Sequence, residues 1–193
     1  MKYIKIVLGI LFIVAVIYSY YEIPQYLVEG TCVSNTLGGV LLIIDGILGF
    51  KNKRVPMLIW QMEIGFIMTV YLLCAILTGF RIHSFNFEGG FMFLHSINPL
   101  ILLAIFLFSL RLDISNGKEV LRRSFIAPVL IMAYLLFDLI RHQITGEFVY
   151  GLIPNNSSIL IVLIFGVGTY ISEVLLNYGL IRLKMFVGTK INK

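Results

Sequence analysis

The stretch Thr31–Phe50 reads TCVSNTLGGVLLIIDGILGF and carries one charged side chain, Asp45. A helix of about 20 mostly apolar residues, rising about 1.5 Å per residue, crosses the roughly 30 Å of hydrocarbon in a bilayer. Outward from this stretch, five more segments have the same character: Tyr3–Tyr20, Val55–Gly79, Gly90–Leu110, Ser124–Ile140 and Ser158–Leu183. The fifth is short. The sixth is longer than a span needs and is expected to tilt or to continue past the interface. Only short breaks separate the segments, so residues 1–193 read as a single integral membrane domain. The expected fold class is all-α, a polytopic bundle of six transmembrane helices.

Composition agrees with this reading. Hydrophobic residues make up 59% of the chain and charged ones 13%, too few polar groups to cover a soluble domain of this size. The net charge of +5 does not point to nucleic acid, because the basic residues sit at helix ends, where they set topology and meet anionic lipid. Lys2 and Lys5 lie at the N-terminus; Lys51, Lys53 and Arg54 follow the second span. Arg111, Lys118, Arg122 and Arg123 lie between the fourth and fifth, and Arg182, Lys184, Lys190 and Lys193 close the chain. Thus 13 of the 15 basic residues fall on one side and only Arg81 and Arg141 on the other. The positive-inside rule makes the rich side cytoplasmic, so both termini are expected inside. The N-terminal run has no small-x-small cleavage site before Tyr18-Ser19-Tyr20-Tyr21 and reads as an uncleaved first helix. Cys32 and Cys74 read as buried thiols rather than a disulfide or metal pair. Few alanines beside many Ile, Lys and Asn point to a bacterial plasma membrane. Asn155 and Asn156 begin glycosylation triplets that matter only in a glycosylating host.

Polar side chains at membrane depth are expensive, so each calls for a partner or a task. Three clusters fall in the outer half. Thr31, Ser34 and Asn35 share a helix face by their spacing of three and four; the plainer reading is hydrogen bonding between helices. His95, Ser96, Asn98 and Pro99 lie one turn into the fourth span. Pro99 removes a backbone donor and is expected to loosen the turn around His95; a lone His there is otherwise a satisfied core residue. Asp138, Arg141, His142 and Thr145 end the fifth span, with Asp138 and Arg141 spaced to pair. In the inner half, Asp45, Glu63, Glu173 and Asn177 show no obvious basic partner at the same depth, unless Lys51 or Arg54 reaches them. Glu173 and Asn177, four apart, are expected to face the bundle rather than lipid. Gly38, Gly39, Gly46 and Gly49 suit close helix packing. No nucleotide, metal or redox motif is present, so neither a cofactor nor a metal ligand set is assigned.

Three stretches together resemble the androgen-induced/androgen-dependent TFPI-regulating protein-like membrane hydrolase family, in its bacterial Thr-x-x-Ser-Asn branch. The longest runs from Ala133 to Tyr178: Tyr134-Leu-Leu-Phe-Asp138, then Arg141-His142-Gln-Ile-Thr145-Gly146-Glu-Phe-Val149-Tyr150, then Glu173-Val-Leu-Leu-Asn177-Tyr178. The others are His95-Ser-Ile-Asn-Pro99 and Thr31-Cys-Val-Ser34-Asn35. The resemblance implies a six-span fold and an active site for hydrolysing fatty-acid esters, with Thr31 and His95 at the positions of the family's catalytic Thr and His. The chain departs from the pattern at Gly30, where the family has an aromatic, and at Tyr150-Gly151, where it has Tyr-Pro; Pro154 is displaced.

The residues support such chemistry on their own terms. A threonine hydroxyl becomes a nucleophile when a neutral imidazole takes its proton. Thr31 begins one helix, and His95 lies about five residues into another from the same side, roughly 7–8 Å deep, so the two are expected to meet. Asn35 or a backbone amide would steady the oxyanion, with Ser34 a rival nucleophile. Asn98, Asp138, Arg141, His142, Glu173 and Asn177 would support the site. A cavity apolar along most of its length should border the pair, taking membrane lipid or a fatty-acyl ester as substrate. The alternative is a non-enzymatic carrier or proton-linked transporter using Asp45, Glu63 and Glu173, which would need polar groups connected through the membrane.

Overall fold

The computed structural model describes residues 1–81, 85–110, 114, 116–150 and 152–191, with side chains described as far as Gly188. Arg111, Gly151 and Lys193, invoked above, lie outside the described residues, as does the side chain of Lys190. Among the described residues, six helices are long and apolar enough to cross a membrane. They are α1 (Lys2–Tyr20), α2 (Gly30–Phe50), α3 (Met57–Gly79), α4 (Gly90–Ser109), α5 (Gly117–Thr145) and α6 (Ile159–Ile191). A 3-10 turn at Pro24–Tyr26 precedes α2.

Two of the six are interrupted, both at a proline. In α4 a single π turn, Phe93–Ile97, separates Gly90–Met92 from Asn98–Ser109. Pro99 has no N–H to return to the carbonyl of His95, and the ladder widens instead, with Asn98 N–H reaching Phe93 O. In α5 the helices Gly117–Ile126 and Val129–Thr145 meet at Ala127–Pro128, since Pro128 has no N–H to return to the carbonyl of Ser124. α5 also extends beyond the expected Ser124–Ile140. Asn116 caps it, accepting from Glu119 N–H at 2.9 Å, and Glu119 pairs with Arg123 at 2.5 Å, so a charged turn continues the apolar one. At its other end Gly146 takes the left-handed conformation (φ 78°) and returns its N–H to His142 O. α3 starts at Met57 rather than Val55: Pro56 is extended (ψ 139°) and forms the N-cap, and a proline disfavours helical backbone at the residue before it.

α3 is the hub, packing against α2, α4, α5 and α6. Its Trp60, Ile64 and Ile67 join Phe12 of α1, Leu42 of α2 and Leu102 and Phe106 of α4 in one buried cluster. α1 and α2 approach most closely at glycines. A Cβ on Gly39 would meet Gly9 O at 2.9 Å, and one on Gly46 would meet Lys2 O at 2.9 Å, so the small residues allow backbone contact. The outer faces stay apolar: Val7, Leu11, Val14, Phe108, Leu136, Ile159, Leu160 and Ile164 are all exposed. A belt of that extent matches lipid, not water.

The buried charges are resolved differently from the expectation. Asp45 has a basic partner from α1: Lys5 Nζ sits 2.5 Å from its carboxylate, and Val55 N–H donates to the other oxygen at 2.9 Å. The expectation named Lys51 or Arg54 and missed Lys5, because the choice depends on which helix lies beside α2. Glu173 and Asn177 are fully buried within the bundle. Thr69 of α3 donates to Glu173, and Asn177 Nδ2 donates to Glu173 Oε1 at 3.1 Å. Gly65 of α3 leaves room for both. Glu63 is buried against Gly38, and its Oε1 has no hydrogen-bond partner among the described residues. Asp45→Ala, which strands the Lys5 ammonium, should cost about 3–5 kcal/mol and lower the melting temperature of the protein in detergent; Asp45→Ala melting like the wild type would contradict the pairing.

Candidate functional site

Thr31 and His95 meet. Thr31 stands in the first turn of α2, fully buried, and its Oγ1 lies 3.2 Å from His95 Nε2. The π turn of α4 carries His95, as such turns often do at functional positions. On its other side, His95 Nδ1 lies 2.6 Å from the carbonyl oxygen of Asn86. A carbonyl only accepts, so Nδ1 holds the ring proton and Nε2 is left as acceptor for the Thr31 hydroxyl. A hydroxyl, a neutral imidazole and a backbone carbonyl that orients the ring thus stand in line. Phe85, Phe87 and Phe91 surround the imidazole, with ring centroids 5.9, 5.2 and 5.8 Å away.

A third group completes the centre. Tyr150 Oη accepts the Thr31 backbone N–H at 2.8 Å and lies 3.1 Å from Thr31 Oγ1. Since that oxygen gives its proton toward His95, Tyr150 donates to it. Burial holds the Tyr150 phenol well above its ordinary range, so it remains a protonated donor. The Thr31 N–H is one of the donors that a helix start leaves unpaired, which is why a loop residue can claim it. Sequence reading gave Tyr150 no role: an aromatic in a loop is no anomaly, and it was named only within the quoted stretch and beside Gly151, where the chain departs from the family's pattern.

The cluster at the end of α5 is what delivers Tyr150. Asp138 and Arg141 do not pair with each other as their spacing suggested. Asp138 Oδ1 accepts Val149 N–H at 2.9 Å, and Arg141 Nη1 donates to Glu147 O at 2.8 Å. His142 stacks on Phe148 at 4.0 Å, and its Nε2 is 2.9 Å from Asn155 O. Thr145 Oγ1 donates to Arg141 O at 3.0 Å. The unpaired backbone of the following loop supplied better partners than a neighbouring side chain on the same helix.

None of the remaining candidates hydrogen-bonds to Thr31 Oγ1 or to the His95 ring. Asn35 Nδ2 donates to Thr31 O at 2.8 Å and to Leu94 O at 3.1 Å, tying α2 to α4, and Asn98 Nδ2 donates to Asn35 Oδ1 at 2.9 Å. With both amide protons engaged, Asn35 is a strut. Ser34 Oγ turns back to Thr31 O at 3.4 Å. Glu173 and Asn177 lie deeper, with Thr69. Tyr134 Oη donates to Val28 O at 3.2 Å, and Tyr20 Oη donates to Glu29 at 2.7 Å, fixing the approach to α2. Burial raises the Glu29 carboxyl above its usual range, partly offset by that hydrogen bond. Gly30 has a physical cause: a Cβ there would meet the Tyr134 ring at 3.2 Å and Tyr150 Oη at 3.4 Å, which leaves no room for an aromatic.

A cavity of about 480 Å³ runs between α3, α5 and α6, walled by residues such as Phe66, Val70, Ile131, Leu135, Phe165 and Leu176. Tyr134 and Tyr150 are part of its wall. Thr31 and His95, expected on that wall, do not line it; Thr31 is joined to it through Tyr150. Comparison of the chain with family models, with curated proteins and with solved structures finds no match.

Proposed function

We propose that this protein is an intramembrane lipid-ester hydrolase with Thr31 as nucleophile and His95 as base. The observation that carries the reading is the buried hydroxyl 3.2 Å from an imidazole nitrogen whose partner nitrogen is tied to a backbone carbonyl. The resemblance to the androgen-induced hydrolase family agrees with it, and so does the long apolar cavity that reaches Tyr150. In the reaction, Thr31 Oγ1 attacks the ester carbonyl while His95 Nε2 takes its proton. Tyr150 donates to the oxygen that gains charge. The tetrahedral species expels the alcohol, which leaves with the proton from His95, and the acyl group stays on Thr31. Water, deprotonated by His95, then releases the fatty acid and restores the hydroxyl. The carrier reading has less support. Lys5–Asp45, Glu63 and Glu173–Thr69–Asn177 form separate groups, with no hydrogen bond joining one to another among the described residues.

Purified protein in mixed micelles should hydrolyse long-chain p-nitrophenyl esters in preference to acetyl ones, because only a long chain fills the cavity. Tyr150→Phe should lower kcat by about 10²–10³-fold with little change in KM, since it removes a donor needed when charge develops. An unchanged kcat would remove Tyr150 from the mechanism.

The setting that goes with this chemistry is a bacterial plasma membrane, with both termini in the cytoplasm and the Thr31 site in the outer half of the bilayer. Single cysteines at positions 52, 116 and 190 should react only with reagent admitted to the cytoplasm, and those at 86 and 155 with reagent outside. Reaction at 116 from outside would overturn the topology. Cys32 and Cys74 are both buried and give a low background.

A further inference from the structure

Away from Thr31, the ends of α1 to α4 enclose a second cavity, of about 370 Å³. Its wall holds four cationic side chains, Lys2, Lys5, Lys53 and Arg54, against one carboxylate, Asp45. That carboxylate is already taken by Lys5 and by Val55 N–H. Lys53 and Arg54 have no carboxylate partner among the described residues. Lys2 Nζ rests 5.5 Å from the centre of the Phe50 ring. Trp60 also lines the cavity; it is 1% exposed, and its indole N–H has no acceptor among the described residues.

Cations gathered without counter-charge repel one another. An anion bearing several acceptor oxygens relieves that repulsion. The position and the wall narrow its identity. The cavity sits where four of the spanning helices end, and Val55, Met57 and Leu110 add apolar surface beside the cations. A phosphate joined to acyl chains matches that pairing, and basic pockets between helix ends on the cytoplasmic side suit such headgroups. We propose that this pocket binds the phosphate of an anionic phospholipid headgroup. No residue of the Thr31 site enters the inference, which needs only that the six helices span a bilayer.

Trp60 is the only tryptophan in the chain, so its emission reports on the pocket directly. The full chain would be placed in phosphatidylcholine nanodiscs with stepwise addition of phosphatidylglycerol. Trp60 emission should change saturably with phosphatidylglycerol and not with further phosphatidylcholine. Lys53→Gln with Arg54→Gln, both exposed, should raise the half-saturating fraction of phosphatidylglycerol about tenfold or more. Lys118→Gln with Arg122→Gln, removing equal charge elsewhere on the basic side, should leave the titration unchanged. The proposal fails if the Lys53/Arg54 variant titrates like the wild type, if both double variants shift alike, or if the two lipids act alike. The full change produced by millimolar inorganic phosphate in pure phosphatidylcholine discs would assign the pocket to a soluble phosphate and overturn the lipid source.

Discussion

Thr31→Ala should reduce kcat/KM for long-chain ester hydrolysis by about 10⁴-fold or more, the loss that follows deletion of a covalent nucleophile. The geometry makes this the largest effect expected of any single change. Oγ1 is the atom on which the imidazole and the Tyr150 phenol converge, at 3.2 and 3.1 Å. Thr31→Ser keeps that oxygen and should retain most of the activity. Ser34→Ala should be nearly silent, because Ser34 Oγ faces the Thr31 carbonyl rather than His95. Hydrolysis in purified, monodisperse variants checks all three. Thr31→Ala retaining activity within tenfold of the wild type would rule out the acyl-threonine route.

His95→Ala should cost about 10²–10⁴-fold, the range for a general base placed on its proton. One acceptor and one donor define its task, since the Asn86 carbonyl at 2.6 Å fixes the tautomer that leaves Nε2 open to the Thr31 hydroxyl. Because nucleophile and base act as a unit, the Thr31→Ala/His95→Ala double variant should be no slower than Thr31→Ala alone. Multiplicative losses would mean that the two residues act independently. Full activity in a folded His95→Ala variant would remove it from the mechanism.

Part of this site was legible in the sequence, for physical reasons that differ by residue. Thr31 and His95 stand out because each is polar at a depth where polarity needs a reason, and helix rise fixes that depth without any knowledge of packing. Helix spacing likewise put Glu173 and Asn177 on one buried face. Pro99 announced the irregular turn that bears His95, although only the structure gives it as a π turn. Tyr150, the Asn86 carbonyl and the Lys5–Asp45 pair were not legible. Each depends on which loop or helix is brought alongside, which no local period records. Asp138 and Arg141 show the limit most plainly. Their spacing allowed an ion pair, yet both side chains are used to hold the backbone that presents Tyr150. The start of α5 was misplaced for a related reason, since hydropathy falls at Lys118 and Glu119 while the Asn116 cap and the Glu119–Arg123 pair keep the chain helical.

The most direct test of the central claim is to treat the purified wild-type protein with a long-chain fluorophosphonate and to map the adduct by mass spectrometry of its peptides. A nucleophilic hydroxyl held against an imidazole attacks phosphorus and stays bonded to it. The account predicts one adduct, on Thr31, absent in Thr31→Ala and formed far more slowly in His95→Ala. An adduct on Ser34 or on any other residue, or no adduct at all on a folded protein, would contradict it.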